Sequence, residues 1–160
     1  IDYFNLLCKH MDNAKLLLIG DGELLEEMKS YVEKLEISDK VIFLGAINDV
    51  PDKLQAIDLF VLPSLAEGLP VVALEAQASG LPCIISAQVT REAGVLPATK
   101  YLPIKSEQDL NKWVDSTITL SKIPREMNSK EMLSERGYNI VDEAEKLDQL
   151  YKSLLKRRIV

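Results

Sequence analysis

The chain has 160 residues, 47% apolar and 28% charged, which suits one globular domain with a sizeable core. Its net charge of −6 argues against a general nucleic-acid binder, whose domain would be basic. No apolar run approaches the roughly 18 residues of a membrane span, and Cys8 and Cys83 lack any metal-ligand spacing or disulfide framework, which fits a reducing cytoplasm.

In chain order, the first expected element is a helix over residues 1–12, with Phe4, Leu7, Cys8 and Met11 on one face. The chain opens on Ile1, already inside that pattern, and so reads as a piece of a longer protein. Residues 15–19 are a short apolar strand closed by the Gly20-Asp21-Gly22 turn, and Leu24, Leu25, Met28, Val32 and Leu35 mark an amphipathic helix. A second strand is expected at 41–44, a short helix at 52–57 and a buried third strand at 59–62. Residues 70–79 then read as a helix. Pro70 suits its first position, where no N–H is needed, and Gly80 followed by Pro82 stops it. A fourth strand follows at 83–86, and Tyr101 and Leu102 form a fifth. Leu110, Trp113, Val114 and Ile118 describe a helix capped by Ser106 and Asp109. Residues 127–135 form a shorter helix, and Leu147, Leu150, Tyr151, Leu154 and Leu155 belong to a long C-terminal one. Strands alternating with helices predict an α/β fold with a Rossmann-like parallel sheet.

The stretch 66–82, AEGLPVVALEAQASGLP, carries the chemistry. A helix start presents free N–H groups and the positive end of the macrodipole, which suits a phosphate. Gly68 lets the backbone come close. Glu75, in the second turn, can accept hydrogen bonds from paired sugar hydroxyls, while Glu67, eight positions earlier, lies on the other side of the phosphates. The pattern fits a nucleotide-sugar laid across the helix tip, with ribose at Glu75 and the donor sugar near Glu67. The plainer readings are a helix-start carboxylate for Glu67 and a solvated helix glutamate for Glu75.

Glu67 and Glu75 within that stretch resemble the signature of retaining GT-B glycosyltransferases of family 4. Gly20-Asp21-Gly22-Glu23 and Val41-Ile42-Phe43-Leu44-Gly45 resemble the family's second and third strand ends, and the match runs over residues 14–90. The wording is closest to enzymes that build bacterial capsular and exopolysaccharides. The resemblance implies that residues 1–160 are the C-terminal, donor-binding half of a GT-B fold, with an acceptor domain and a first strand upstream. With that central strand missing, either the strands at 15–19 and 59–62 pair across the gap or another chain fills it, and the sheet edges invite oligomers.

By the same resemblance, Glu67 faces the donor sugar and Glu75 holds the ribose. Leu69, Pro70, Val71 and Val72 surround the diphosphate, although Pro70 offers no N–H where other members have glycine, so the work shifts to Leu69, Val71 and Val72. Gly45, Ala46 and Ile47 form the base pocket, and its backbone recognition leaves UDP, ADP and GDP all open. No Asp-x-Asp metal motif occurs, so metal-independent chemistry without a cofactor is expected. The implied reaction moves a hexose or amino-hexose from a UDP-sugar to a lipid-linked or saccharide acceptor, retaining the anomeric configuration, in the cytoplasm or at the inner face of the membrane. The alternatives are a nucleotide-binding module without activity of its own, or a GT-B-like sugar-nucleotide epimerase or scaffold. The single His10, read as a surface residue, argues against epimerase chemistry. Lys152, Lys156, Arg157 and Arg158 either touch anionic lipid, at about 1 kcal/mol each, or simply complement a helix C-terminus.

Overall fold

The computed structural model describes the backbone of residues 1–157 and the side chains of residues 1–155. In order the elements are α1 (Asp2–Leu7), β1 (Leu16–Ile19), α2 (Leu25–Lys34), β2 (Val41–Gly45), α3 (Val50–Gln55), β3 (Phe60–Leu62), α4 (Val71–Ala78), β4 (Cys83–Ser86), β5 (Thr99–Leu102), α5 (Glu107–Leu120), α6 (Ser129–Glu135) and α7 (Ile140–Arg157). Single 3₁₀ turns stand at Ser38–Lys40 and Arg91–Ala93.

Among the boundaries that differ from the sequence expectation, three have a local reason. The first helix ends at Leu7 instead of running to residue 12, because Lys9 and His10 donate to carbonyls three residues back and tighten the chain into turns. The third helix begins at Val50, since Pro51 is well placed in a first turn. Pro70 does not take the first helical position of α4. With φ −73° and ψ 106° it is the extended residue before the helix, and Val71 starts the turn. The expected cap of α5 is present as a full capping box. Ser106 Oγ accepts from the Asp109 N–H at 3.2 Å, and Asp109 Oδ2 accepts from the Ser106 N–H at 3.1 Å.

All strand pairing is parallel, but the single expected sheet is two. β1 pairs only with β2, Leu16 beside Val41 and Leu18 beside Phe43. β3, β4 and β5 form the second sheet in that order, Val61 beside Ile84 and Ile84 beside Lys100. β1 and β3 therefore do not pair across the gap, and among the described residues each keeps one unpaired edge. The chain crosses from one sheet to the other between β2 and β3, as at the switch point of doubly wound folds.

What joins the halves is a pair of helices. Phe4 and Leu7 of α1 pack with Val32, Ile37, Val41 and α5's Val114 on the β1–β2 side. On the opposite side, Trp113 and Leu120 of α5 pack with Ile84, Val61 and Leu102, and Tyr3 of α1 reaches both clusters. Trp113, expected in the core, is 1% exposed and its indole N–H donates to the Pro103 carbonyl at 2.7 Å. A third cluster, Leu54, Ala73, Ala76, Leu81, Cys83, Ile85, Val89 and Ala93, seats α4 on the second sheet.

The stripe Leu147, Leu150, Tyr151, Leu154 and Leu155 of α7 is exposed, and Lys152 pairs with Asp148 at 2.6 Å. The remaining basic tail, Lys156 and Arg157 by their side chains and Arg158 entirely, lies outside the described residues. No helix among the described residues is long and apolar enough to cross a membrane.

Cys83, fully buried, has its thiol pushed up to about 12 by desolvation. The folded state thus favours the neutral thiol. That contribution is complete below the unfolded value of about 8.5 and is lost as pH rises from there through 12. Urea unfolding of the wild type is expected to weaken across this window, and Cys83→Ala to weaken less steeply. An equal slope in both proteins would move the loss to the other groups that burial raises, Cys8, Tyr3 and Tyr101.

Candidate functional site

α4 is apolar on one face and open on the other. Ala73, Ala76 and Gln77 are buried against the second sheet, while Val71 and Glu75, one turn apart, are exposed. The helix begins without a side-chain cap, and the Ala73 N–H is taken by the Pro70 carbonyl at 3.0 Å. The N–H groups of Val71 and Val72 have no partner within the helix, and Leu69 donates to no backbone carbonyl among the described residues. Val71 is 64% exposed and Val72 half-buried, so donors at the helix tip border solvent. Glu75 stands about 6 Å further along the axis from Val71.

Glu67 is exposed on the loop between β3 and α4 and is held twice. Ser64 Oγ donates to its Oε1 at 2.8 Å, and its backbone forms an isolated parallel bridge with Val89, a buried residue just after β4. Gly68 does not adopt a left-handed φ, and a Cβ placed there would meet nothing within 4 Å. The protein's own packing therefore does not require glycine, and the space it leaves opens outward. Pro70, buried, closes the loop against the core.

Gly45, Ala46 and Ile47 leave β2 beside the Gly20-Asp21-Gly22 turn, since the Gly20 N–H donates to the Gly45 carbonyl at 2.9 Å. Gly45 has φ +66°, a left-handed conformation that side chains disfavour, and this turns the chain sharply out of the strand. Ala46 is exposed and Ile47 half-buried. A cleft of about 230 Å³ lies next to this turn, lined by Leu18, Ile19, Leu24, Met28 and Phe43 among others. The structure thus brings Glu67, Leu69, Val71, Val72 and Glu75 together at one helix start, and sets Gly45 to Ile47 with the glycine turn at the end of the other sheet. His10 is exposed, and the described residues contain no group of three His, Cys, Asp or Glu side chains able to hold a metal.

Sequence reasoning missed Ser64, Gln77 and Val89. Ser64 had a signal, a hydroxyl three residues before Glu67 in a turn. Gln77 had one too, as a polar residue on the alanine face of a helix. Val89 had none.

Residues 1–139 match the family model described as glycosyl transferases group 1. The chain belongs to that family. This group 1 glycosyltransferase chain is 36% identical to EpsF of Bacillus subtilis over 129 residues, which are 78% of the chain and 33% of EpsF. It is 45% identical over 75 residues to the UDP-Gal:alpha-D-GlcNAc-diphosphoundecaprenol alpha-1,3-galactosyltransferase of Escherichia coli, covering 46% of the chain and 19% of that enzyme. Among solved structures, the pneumococcal O-GlcNAc transferase GtfA in complex with UDP and GlcNAc aligns with a TM-score of 0.79 at 14% identity, over 96% of this chain and 33% of that one. At that identity the likeness is one of fold, the parallel α/β arrangement of GT-B glycosyltransferases. The chain spans a third or less of the length of these proteins.

Proposed function

We propose that this chain is the donor-binding domain of a retaining GT-B glycosyltransferase of family 4, and that it takes UDP-hexose or UDP-amino-hexose. The observation that carries the reading is the open start of α4 with an exposed carboxylate on either side. The Leu69, Val71 and Val72 N–H groups would receive the diphosphate, where negative charge grows as the bond to the sugar breaks. Glu75 would hold the ribose hydroxyls and Glu67 the hydroxyls of the donor sugar, with Ser64 fixing its rotamer. The base would rest at Gly45, Ala46 and Ile47. No metal or cofactor enters this scheme.

The relative that uses UDP-Gal and a diphosphoundecaprenol-linked acceptor supports a lipid-linked or saccharide acceptor in surface polysaccharide synthesis. An acceptor domain would bring that substrate to the donor, supplying proximity. In this reading the work is cytoplasmic, at or near the inner face of the membrane. A second reading is a nucleotide-binding module without turnover of its own. A transferase assay on a sample already shown to bind UDP separates the two.

The site itself is tested by calorimetric titration of UDP and UDP-sugars. UDP is expected to bind the wild type, and Glu75→Ala to weaken UDP at least tenfold, the loss of charged hydrogen bonds worth about 1.5–3 kcal/mol. Glu67→Ala should leave UDP within twofold while removing any added affinity from the sugar. Equal loss of UDP binding in both variants contradicts these roles.

A further inference from the structure

Gln77 is 0% exposed on a helix face otherwise lined by alanines, and its amide is fully committed. Nε2 donates to the Ala73 carbonyl at 2.8 Å and to the Ala93 carbonyl at 2.6 Å. Oε1 accepts from the Val95 N–H at 2.7 Å, the Leu96 N–H at 3.0 Å and Thr99 Oγ1 at 3.1 Å. Apart from the bond to Ala73 within α4 and the one from Thr99 at the start of β5, these contacts hold the segment between β4 and β5.

That segment contains one short 3₁₀ turn and is pinned from outside. Tyr101 donates its hydroxyl to the Thr90 carbonyl at 3.0 Å and lies under the Arg91 guanidinium, 4.2 Å from ring centre. Its ring also sits 2.8 Å from where a Cβ on Gly94 would fall, so the backbone there packs tightly. At the head of the segment, Val89 forms the backbone bridge to Glu67. Gln77 thus holds Ala93, which shares a buried cluster with Val89, and Val89 in turn is bridged to the backbone of Glu67. Glu75 and Val71 lie on the opposite, solvent face of α4, so that path bypasses them.

We propose that Gln77 is a positioning residue for Glu67. By holding residues 89–96 in place it sets where that carboxylate stands, and so sets how strongly the site distinguishes a nucleotide-sugar from the bare nucleotide. The proposal rests on the reading of Glu67 as the sugar-facing group.

The test compares UDP and UDP-glucose binding in wild type and Gln77→Leu, a change that keeps the volume and removes the amide. UDP affinity should stay within twofold, while the ratio of UDP-glucose to UDP affinity falls at least fivefold. Amide hydrogen exchange at Glu67 and Val89 should quicken. A lower melting temperature with an unchanged ratio and unchanged exchange at those two residues shows a merely structural amide and overturns the proposal. If Gln77→Leu does not fold, Thr99→Val removes one donor to Oε1 and should lower the ratio about twofold, and no change there overturns it equally. UDP-glucose stands for the donor class, and a wild type that gains from UDP-N-acetylglucosamine instead is tested with that sugar. A wild type that binds UDP but gains nothing from either sugar overturns the Glu67 assignment and this proposal together. A gain retained in Gln77→Leu sinks the proposal alone.

Discussion

Gly80→Ala is expected to lower the thermal midpoint by about 10 °C, from a loss of about 3 kcal/mol in a domain of this size. Gly80 follows the last turn of α4 at φ +76°, the left-handed conformation that closes a Schellman motif. Its N–H donates to the Gln77 carbonyl at 2.8 Å, and the next N–H, of Leu81, reaches back to the Ala76 carbonyl at 3.1 Å. A side chain meets two penalties here. The φ alone is strained for an L-residue, and a Cβ would fall 2.6 Å from the Glu126 carbonyl oxygen, closer than atoms can stand. Asparagine tolerates the φ but still carries a Cβ, so Gly80→Asn should recover only part of the loss. Circular-dichroism melts measure all three proteins, and a drop below about 2 °C for alanine would sink the account.

Arg125→Met should remove a comparable amount, about 3 kcal/mol, in urea titrations. The guanidinium spans the ends of two helices. Nη1 donates to the Ser79 carbonyl at 2.7 Å, beyond α4, and Nη2 donates to the carbonyls of Leu54, Gln55 and Ile57 at 2.7–3.0 Å, at the end of α3. Both helix ends carry the negative pole of a macrodipole, so a cation bonded to both is favoured twice. Truncation leaves carbonyls short of a donor at a half-buried joint. Lysine keeps the charge but not the planar fork, and Arg125→Lys should recover less than half. Gly80 and Arg125 meet the same joint, because the Glu126 N–H donates to the Gly80 carbonyl at 2.9 Å. The double variant should therefore lose less than the sum of its parts. Additive losses, or an Arg125→Lys as stable as wild type, would argue against a shared clamp.

Much of α4 was legible because its signals are local. Pro70, the run from Val71 to Ala78, and Gly80 with Pro82 each restrict the backbone within a few residues, and the helix bounds came out one residue from expectation. The cap at Ser106 and Asp109 was readable for the same reason. Long-range features were not. The four carbonyls bonded by Arg125 lie 46 to 71 residues away in sequence, and no local pattern announces them. Glu67 and Glu75 are legible as a pair from the stretch around them and the family signature it resembles, yet the bridge that ties Glu67 to Val89 depends on how the β4 exit folds back. Periodicity also gave the positions of five strands without saying that they would form two sheets, since pairing depends on which edges meet and not on any one strand's residues.

The break between β1 and β3 has a consequence for how the chain reaches this state. Each half can assemble from near neighbours, β1 with β2 across α2, and β3 with β4 across α4. Their union waits for α5 to close on α1, segments about a hundred residues apart along the polymer, and distant closures of that kind are the slow ones. Among the described residues β1 and β3 each keep a flank bare even after the helices close, so the edges along which one molecule can capture another outlast that step.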